Sequence, residues 1–167
     1  MARYFLGMTL QQMGRFKPAI ELFRAALQQM PAHSEAHYNL GLALQVTGNI
    51  SEAIRHYRAA IKLRDDYAEP RNNLAWILAT HPDPRYRNPR EAVQLVQRAN
   101  DIAQNQNAGI LDTLSAAHAA AGNFELAVAT ADLAISLARQ AGNQKFAEIL
   151  QSRLDLYRQG KPYIDGP

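Results

Sequence analysis

Apolar and polar residues follow one another along this chain at helical spacing, in paired segments separated by short polar turns. The pairs repeat. Met1-Ala2-Arg3-Tyr4-Phe5-Leu6-Gly7 aligns with Glu35-Ala36-His37-Tyr38-Asn39-Leu40-Gly41, residues 11–16 align with 45–50, and 19–26 with 53–60, each at an offset of 34 residues without a gap. Leu74-Ala75 stands another 34 residues beyond Leu40-Gly41, and Leu78 follows Leu44 in the same register. The third unit then opens: His81-Pro82-Asp83-Pro84-Arg85-Tyr86-Arg87 carries prolines too closely spaced for a helix. Ala92, Val96 and Ala99 resume the pattern, and a fourth unit runs through Leu114-Ser115, His118, Gly122, Ala127, Ala131 and Ala134.

Two amphipathic segments joined by a short turn predict a helical hairpin in each unit. Gly14, Gly48 and Gly122 fall between the segments, where a helix end favours a residue that accepts positive φ. Pro18 and Pro89 suit the first turn of a second helix, and Asn88 with Glu91 has capping-box spacing. Gly7, Gly41 and Ala75 are small where two helices approach, with Ala19, Ala53, Ala92 and Ala127 as small partners and Phe23 and Tyr57 filling the remaining gap. One hairpin cannot bury its apolar face alone, so neighbouring hairpins must stack. From Asn143 to Gln159, Phe146, Ile149, Leu150, Leu154 and Tyr157 share one face, while Glu148, Gln151, Arg153 and Arg158 form a polar one. That is an amphipathic capping helix, stopped by Gly160 and Pro162.

The expected architecture is an all-α, right-handed superhelical solenoid: four helical hairpins and a C-terminal capping helix within a single domain, 1–159. The units span 1–33, 34–67, 68–106 with a Pro-rich insertion at 81–90, and 107–141; the cap spans 143–159, and 160–167 is read as a flexible tail. No equivalent cap precedes Met1. The face of the first hairpin is therefore expected to be exposed, either because the chain is a fragment of a longer array or because that face meets a partner.

On these residues the chain resembles the tetratricopeptide repeat family. Leu6-Gly7, Ala19, Phe23, Ala26 and Pro31 match the family pattern in the first unit, and Leu40-Gly41, Ala53, Tyr57 and Ala60 in the second. The aromatic expected early in each first helix is replaced by Arg3, His37, Arg71 and Leu111. Residues 73–83 look like the closing segment of bacterial repeat arrays, in which a proline-bearing insertion and a last helix end a longer chain. The resemblance implies a non-catalytic scaffold that holds an extended peptide or a helix of a partner protein in a concave groove lined by the first helices.

Composition narrows the rest. With no Cys, the chain has no disulfide framework, thiol nucleophile or Cys-ligated metal. A net charge of +3 on 18 basic and 15 acidic residues is not the footprint of a nucleic-acid binder, and Asp65, Asp66, Asp83 and Glu91 break up the clusters at Arg55/Arg58/Lys62 and Arg85/Arg87/Arg90. No apolar run is long enough to span a bilayer and no signal segment is visible, so a cytoplasmic protein without membrane insertion is expected. No Walker loop, nucleophile elbow or dinucleotide fingerprint occurs, and no cofactor is expected. His33 and His37 have metal-pair spacing, but His33 precedes the helix and no third ligand follows, so no metal site is assigned.

The groove carries the candidate residues. By the resemblance, Tyr4, Met8, Gln11, Tyr38, Leu42, Gln45, Asn72, Trp76 and Asp112 project inward. Asn39 and Asn73, each just before the Leu-Gly or Leu-Ala pair, resemble the asparagine ladder with which repeat arrays clamp a peptide backbone. The peptide-binding set is thus Tyr4, Met8, Tyr38, Asn39, Leu42, Asn72, Asn73 and Trp76. Trp76 is expected either to pack under the proline insertion or to anchor a ligand. A homo-oligomer formed through the first hairpin, and a substrate-presenting region of a larger transferase-type enzyme, are the rival readings.

Overall fold

The computed structural model describes residues 1–166 and is helical throughout, with no strand among the described residues. The helices are α1 (Ala2–Gln12), α2 (Phe16–Gln29), α3 (Ser34–Val46), α4 (Ile50–Leu63), α5 (Ala68–Thr80), α6 (Pro89–Ile102), α7 (Ala108–Ala120), α8 (Phe124–Gln140) and α9 (Gln144–Arg158); a 3-10 turn, Pro84–Tyr86, lies in the proline segment. The chain divides into two compact units, Met1–Pro70 and Arg71–Pro167.

In the first unit α1 packs on α2, α3 on α4, and α2 on α3. The turns closing its two hairpins share one design. Gly14 (φ 73°) and Gly48 (φ 81°) turn left-handed, and the next residue's N–H reaches back to a carbonyl of the first helix, Arg15 to Leu10 and Asn49 to Leu44, both at 2.8 Å. The core is built from Ala19, Ile20, Phe23 and Ala26 on α2, Leu40, Ala43 and Leu44 on α3, and Ala53, Tyr57 and Ala60 on α4. Phe23 and Tyr57 are wholly buried, each removing roughly 150–250 Å² from water. Arg24 on α2 grips both carboxylate oxygens of Glu52 on α4 at 2.9–3.0 Å. At the edge, α1 leaves Phe5 57% and Leu6 53% exposed, with Met1 and Met13 also open.

In the second unit α6 packs on α7, α7 on α8, and α8 on α9. α7 is buried on nearly every side, which is why its sequence, Leu-Asp-Thr-Leu-Ser-Ala-Ala, shows so little amphipathic contrast. The proline segment turns tightly: Asp83 N–H donates to His81 Nδ1 at 3.0 Å, and the Asn88 N–H reaches the Leu78 carbonyl at 2.8 Å, bringing the chain back beside α5 before Pro89 opens α6. The Asn88 side chain then accepts from Glu91 N–H at 3.3 Å and donates to its carboxylate at 3.1 Å, a reciprocal cap. Between α6 and α7 no glycine is available; Gln104 and Asn105 adopt φ of 54° and 58°, and Asn105 takes a hydrogen bond from Asn100.

α9 buries Ala147, Leu150, Leu154 and Tyr157. Its inner face is rotated from the expected one: Ile149 is 42% exposed, and Arg153, read as part of the polar face, turns inward. After Gly160 the chain does not trail away as the flexible tail expected from its Gly and Pro. Residues 161–165 return along the unit, and the Asp165 N–H donates to the Thr80 carbonyl at 2.8 Å.

Candidate functional site

In the first unit, the side chains proposed to bind peptide lie on α1 and α3. Asn39 is a junction between them: its Nδ2 donates to the Glu35 carbonyl at 2.8 Å and to Tyr4 Oη at 3.2 Å, while its Oδ1 accepts from Gln11 Nε2 at 3.4 Å. Both donors and one acceptor position of the amide are thus already used. Tyr4 is buried, wedged beside Phe23 and His33, and burial pushes its hydroxyl pKa up. Met8, Tyr38 and Leu42 are half-buried, Tyr38 lying against Tyr57 and Tyr67 with ring centroids 6.2 and 5.3 Å away. Arg64 covers the other side of Tyr67, 3.4 Å from its ring centre. Gln11 Oε1 is buried without a hydrogen-bond partner.

The histidines of this unit serve helix ends and helix contacts. His33 Nδ1 accepts from Ala36 N–H at 3.2 Å as the N-cap of α3. His37 Nε2 lies 3.0 Å from the Pro31 carbonyl, which can only accept, so the proton sits there and Nδ1 is the acceptor facing His56 Nδ1 at 2.9 Å. Burial, together with the neighbouring His37, brings His56 down to about 4. No group of three potential metal ligands occurs among the described residues.

In the second unit, Asn72 and Asn73 are half-buried on α5; their amides meet at 3.5 Å, and Asn72 Oδ1 is buried without a partner. Trp76 meets the C-terminal segment. Its indole N–H donates to Asp165 Oδ2 at 3.1 Å, and its ring lies 5.8 Å from that of Tyr163. Tyr163 Oη donates to the other oxygen of Asp165 at 3.2 Å. Arg153 from α9 sits over both rings, 4.8 Å from the Trp76 centroid and 4.5 Å from that of Tyr163, and pairs with Asp112 on α7. Asp112 is 6% exposed, and burial raises its pKa despite that partner. Asp112 was among the inward-facing residues of the sequence pattern, whereas Arg153, Tyr163 and Asp165 were not. The one available signal was Arg153 itself, a cation three residues after Leu150 and four before Tyr157, beside the apolar stripe.

Repeated two-helix units with glycine-closed turns, small residues at the close approaches and no strand among the described residues define an all-α helical-hairpin repeat protein. Residues 4–68 match a tetratricopeptide repeat family model. No curated protein sequence matches the chain. Among solved structures, a crystal structure of MamA superimposes with a TM-score of 0.68 at 17% identity, covering 92% of this chain and 94% of that one. TTC0263, described as a thermophilic TPR protein in Thermus thermophilus, gives 0.63 at 19% identity, with coverage of 95% and 97%. PilW, described as a widely conserved type IV pilus biogenesis factor, gives 0.67 at 18% identity, covering 95% of this chain and 77% of that one. At these identities the likeness is one of fold. No described helix is long and apolar enough to cross a membrane.

Proposed function

We propose that the protein is an interaction scaffold that holds an extended segment of a partner against the first helices of its hairpins. The observation that carries this reading is the row formed by Tyr4, Gln11 and Asn39 between α1 and α3, bordered by half-buried Met8, Tyr38 and Leu42. It combines amide donors and acceptors, which suit a peptide backbone, with apolar side chains that suit its residues. Asn39 enters such a complex by exchanging Gln11 or Tyr4 for a partner's group. Asn73, whose Oδ1 takes the Asn72 amide, presents its own N–H₂ to a ligand. Asn72 and Trp76 stand with Asn73 on α5, in the second unit.

A test selects binding peptides from a displayed library on the intact chain, then measures the same peptides against Asn39→Ala and Asn73→Ala variants whose helical melting is unchanged. Loss of affinity by about tenfold or more supports the reading, in line with removing hydrogen bonds from a bound backbone. Unchanged affinity in both variants removes the first-helix faces from consideration.

A second reading rests on the exposed Phe5, Leu6 and Met13 of the first hairpin, an apolar edge suited to docking on another copy. Molar mass by light scattering over a wide concentration range decides it. A monomer throughout ends that reading, and a dimer abolished by Phe5→Ser/Leu6→Ser supports it.

A further inference from the structure

Residues 161–165 are laid on the second unit in the manner of a bound peptide. The segment leaves α9 through a left-handed Gly160, is barred from helix by Pro162, and reaches α5 without secondary structure of its own. Tyr163 and Asp165 are two residues apart, so in an extended segment both side chains point to one side and Ile164 to the other. Each meets a different feature of the surface. The Tyr163 ring lies under the Arg153 guanidinium; the Asp165 carboxylate accepts from the Trp76 indole N–H; the Asp165 N–H donates to the Thr80 carbonyl in the last turn of α5, which no helical N–H can satisfy.

The surface half of this arrangement also has partners outside the strap. Arg153 pairs with Asp112 on α7 and lies over Trp76 on α5. Lifted off, the strap would leave a cationic face, one indole donor and one main-chain acceptor in fixed relation. The strap is short and tied at few points, the kind of segment that opens locally at low cost while the helices remain folded.

We propose that the α5–α9 face of the second unit is a receptor for an extended segment bearing an aromatic residue and, two positions later, a carboxylate, and that Tyr163-Ile164-Asp165 fills it in cis as a displaceable strap. This rests on the reading that the first helices take extended segments, and it narrows that reading to one ligand chemistry. The guanidinium face selects the ring, and the indole N–H selects the acid over its amide, because a charged acceptor makes the stronger hydrogen bond. A partner carrying the same aromatic-x-acid pattern competes with the strap, so its apparent affinity is reduced by the fraction of molecules in which the strap is closed.

The experiment uses a fluorescein-labelled peptide with the sequence of residues 160–166, titrated with the full chain and with a Tyr163→Ala/Asp165→Ala chain. The strap-weakened chain is expected to bind the peptide about tenfold more tightly than wild type or better, the factor by which a closed strap lowers apparent affinity. Trp76→Phe in the strap-weakened chain removes the indole donor and abolishes that gain, as does a peptide in which the acid is replaced by Asn. Trp76 is the chain's one tryptophan, so its emission reads the strap directly. Acrylamide quenching rises in the strap-weakened chain and falls again when unlabelled peptide is added. Equal affinity of wild type and strap-weakened chain overturns the proposal. So does a loss of helical content in the strap-weakened chain, which would make residues 161–165 part of the fold itself. If the peptide fails to bind while Asn39→Ala still weakens library-selected ligands, the strap inference falls and the scaffold reading stands. If those ligands ignore Asn39 while the peptide binds as expected, the scaffold reading is confined to the second unit.

Discussion

Tyr57 lies over Gly41 so closely that a Cβ on Gly41 would stand 2.8 Å from Tyr57 Cε1. The ring has nowhere to go: it is wholly buried, and its hydroxyl donates to Gln45 Oε1 at 2.7 Å. Thirty-four residues earlier Phe23 covers Gly7 in the same way, at 2.7 Å. The aromatic of the second helix and the missing side chain of the first are one packing device, repeated.

Gly41→Ala is therefore expected to destabilise the protein by about 1–3 kcal/mol, the usual cost of overpacking, although alanine is the better helix former by about 1 kcal/mol. Urea unfolding followed by circular dichroism measures it. Adding Tyr57→Leu should recover part of the loss, so that the two substitutions together cost less than their sum. Strict additivity would mean that the ring does not set the limit.

The same device explains what could be read from sequence. The hairpins were legible because their determinants are local: a glycine at the turn, a small residue facing an aromatic about one hairpin-arm away, a proline where an N–H is dispensable. The second-unit site was not. Trp76 meets Asp165 across 89 positions, and Arg153 meets Asp112 across 41, separations over which no periodicity carries information. Gly160 and Pro162 announce only that a helix stops; where the chain goes next depends on an indole and a helix-end carbonyl elsewhere. From the sequence Arg153 belongs to the polar face because a cation counts as polar, yet a buried carboxylate on α7 draws it inward. Asn39 shows the opposite limit. Its place on the first helix of the second hairpin was legible, but its commitment to Tyr4 and Gln11 was not.

His56 predicts how stability responds to acid. Its half-buried ring on α4 faces His37 from α3, with Arg24 of α2 and Arg55 of its own helix adding positive charge, while Glu52 at 3.7 Å opposes them. Unfolded, the ring takes a proton at the ordinary histidine value of 6.5; folded, it resists until about 4. Between those values the unfolded state binds more protons, so stability is complete above 6.5 and is lost as the pH falls towards 4. The slope from this one group is at most about 1.4 kcal/mol per pH unit, for a total of at most about 3 kcal/mol. Urea midpoints measured across that window should fall in the wild type and flatten in His56→Leu. A slope unchanged by the substitution would assign the acid sensitivity to other groups.

Asp112 and Arg153 allow a sharper test, because both are nearly out of solvent. Removing Arg153 alone leaves a buried carboxylate without its cation; Arg153→Met should cost about 3–5 kcal/mol at neutral pH. Acid should return part of that loss. A carboxyl whose folded pKa is raised above its unfolded value, as burial raises that of Asp112, binds its proton more readily in the folded state. Lowering the pH through that window therefore favours folding at this site, and more so once the opposing guanidinium is gone. Asp112→Leu/Arg153→Met, which removes both charges, should lie within about 1–2 kcal/mol of wild type or above it, as buried pairs replaced by apolar residues commonly do. The readout is a double-mutant cycle of urea unfolding at neutral and mildly acid pH. A single variant no less stable than the double would show that Asp112 keeps enough water to need no partner, and that Arg153 is held on α9 by its stacking on Trp76 and Tyr163 alone.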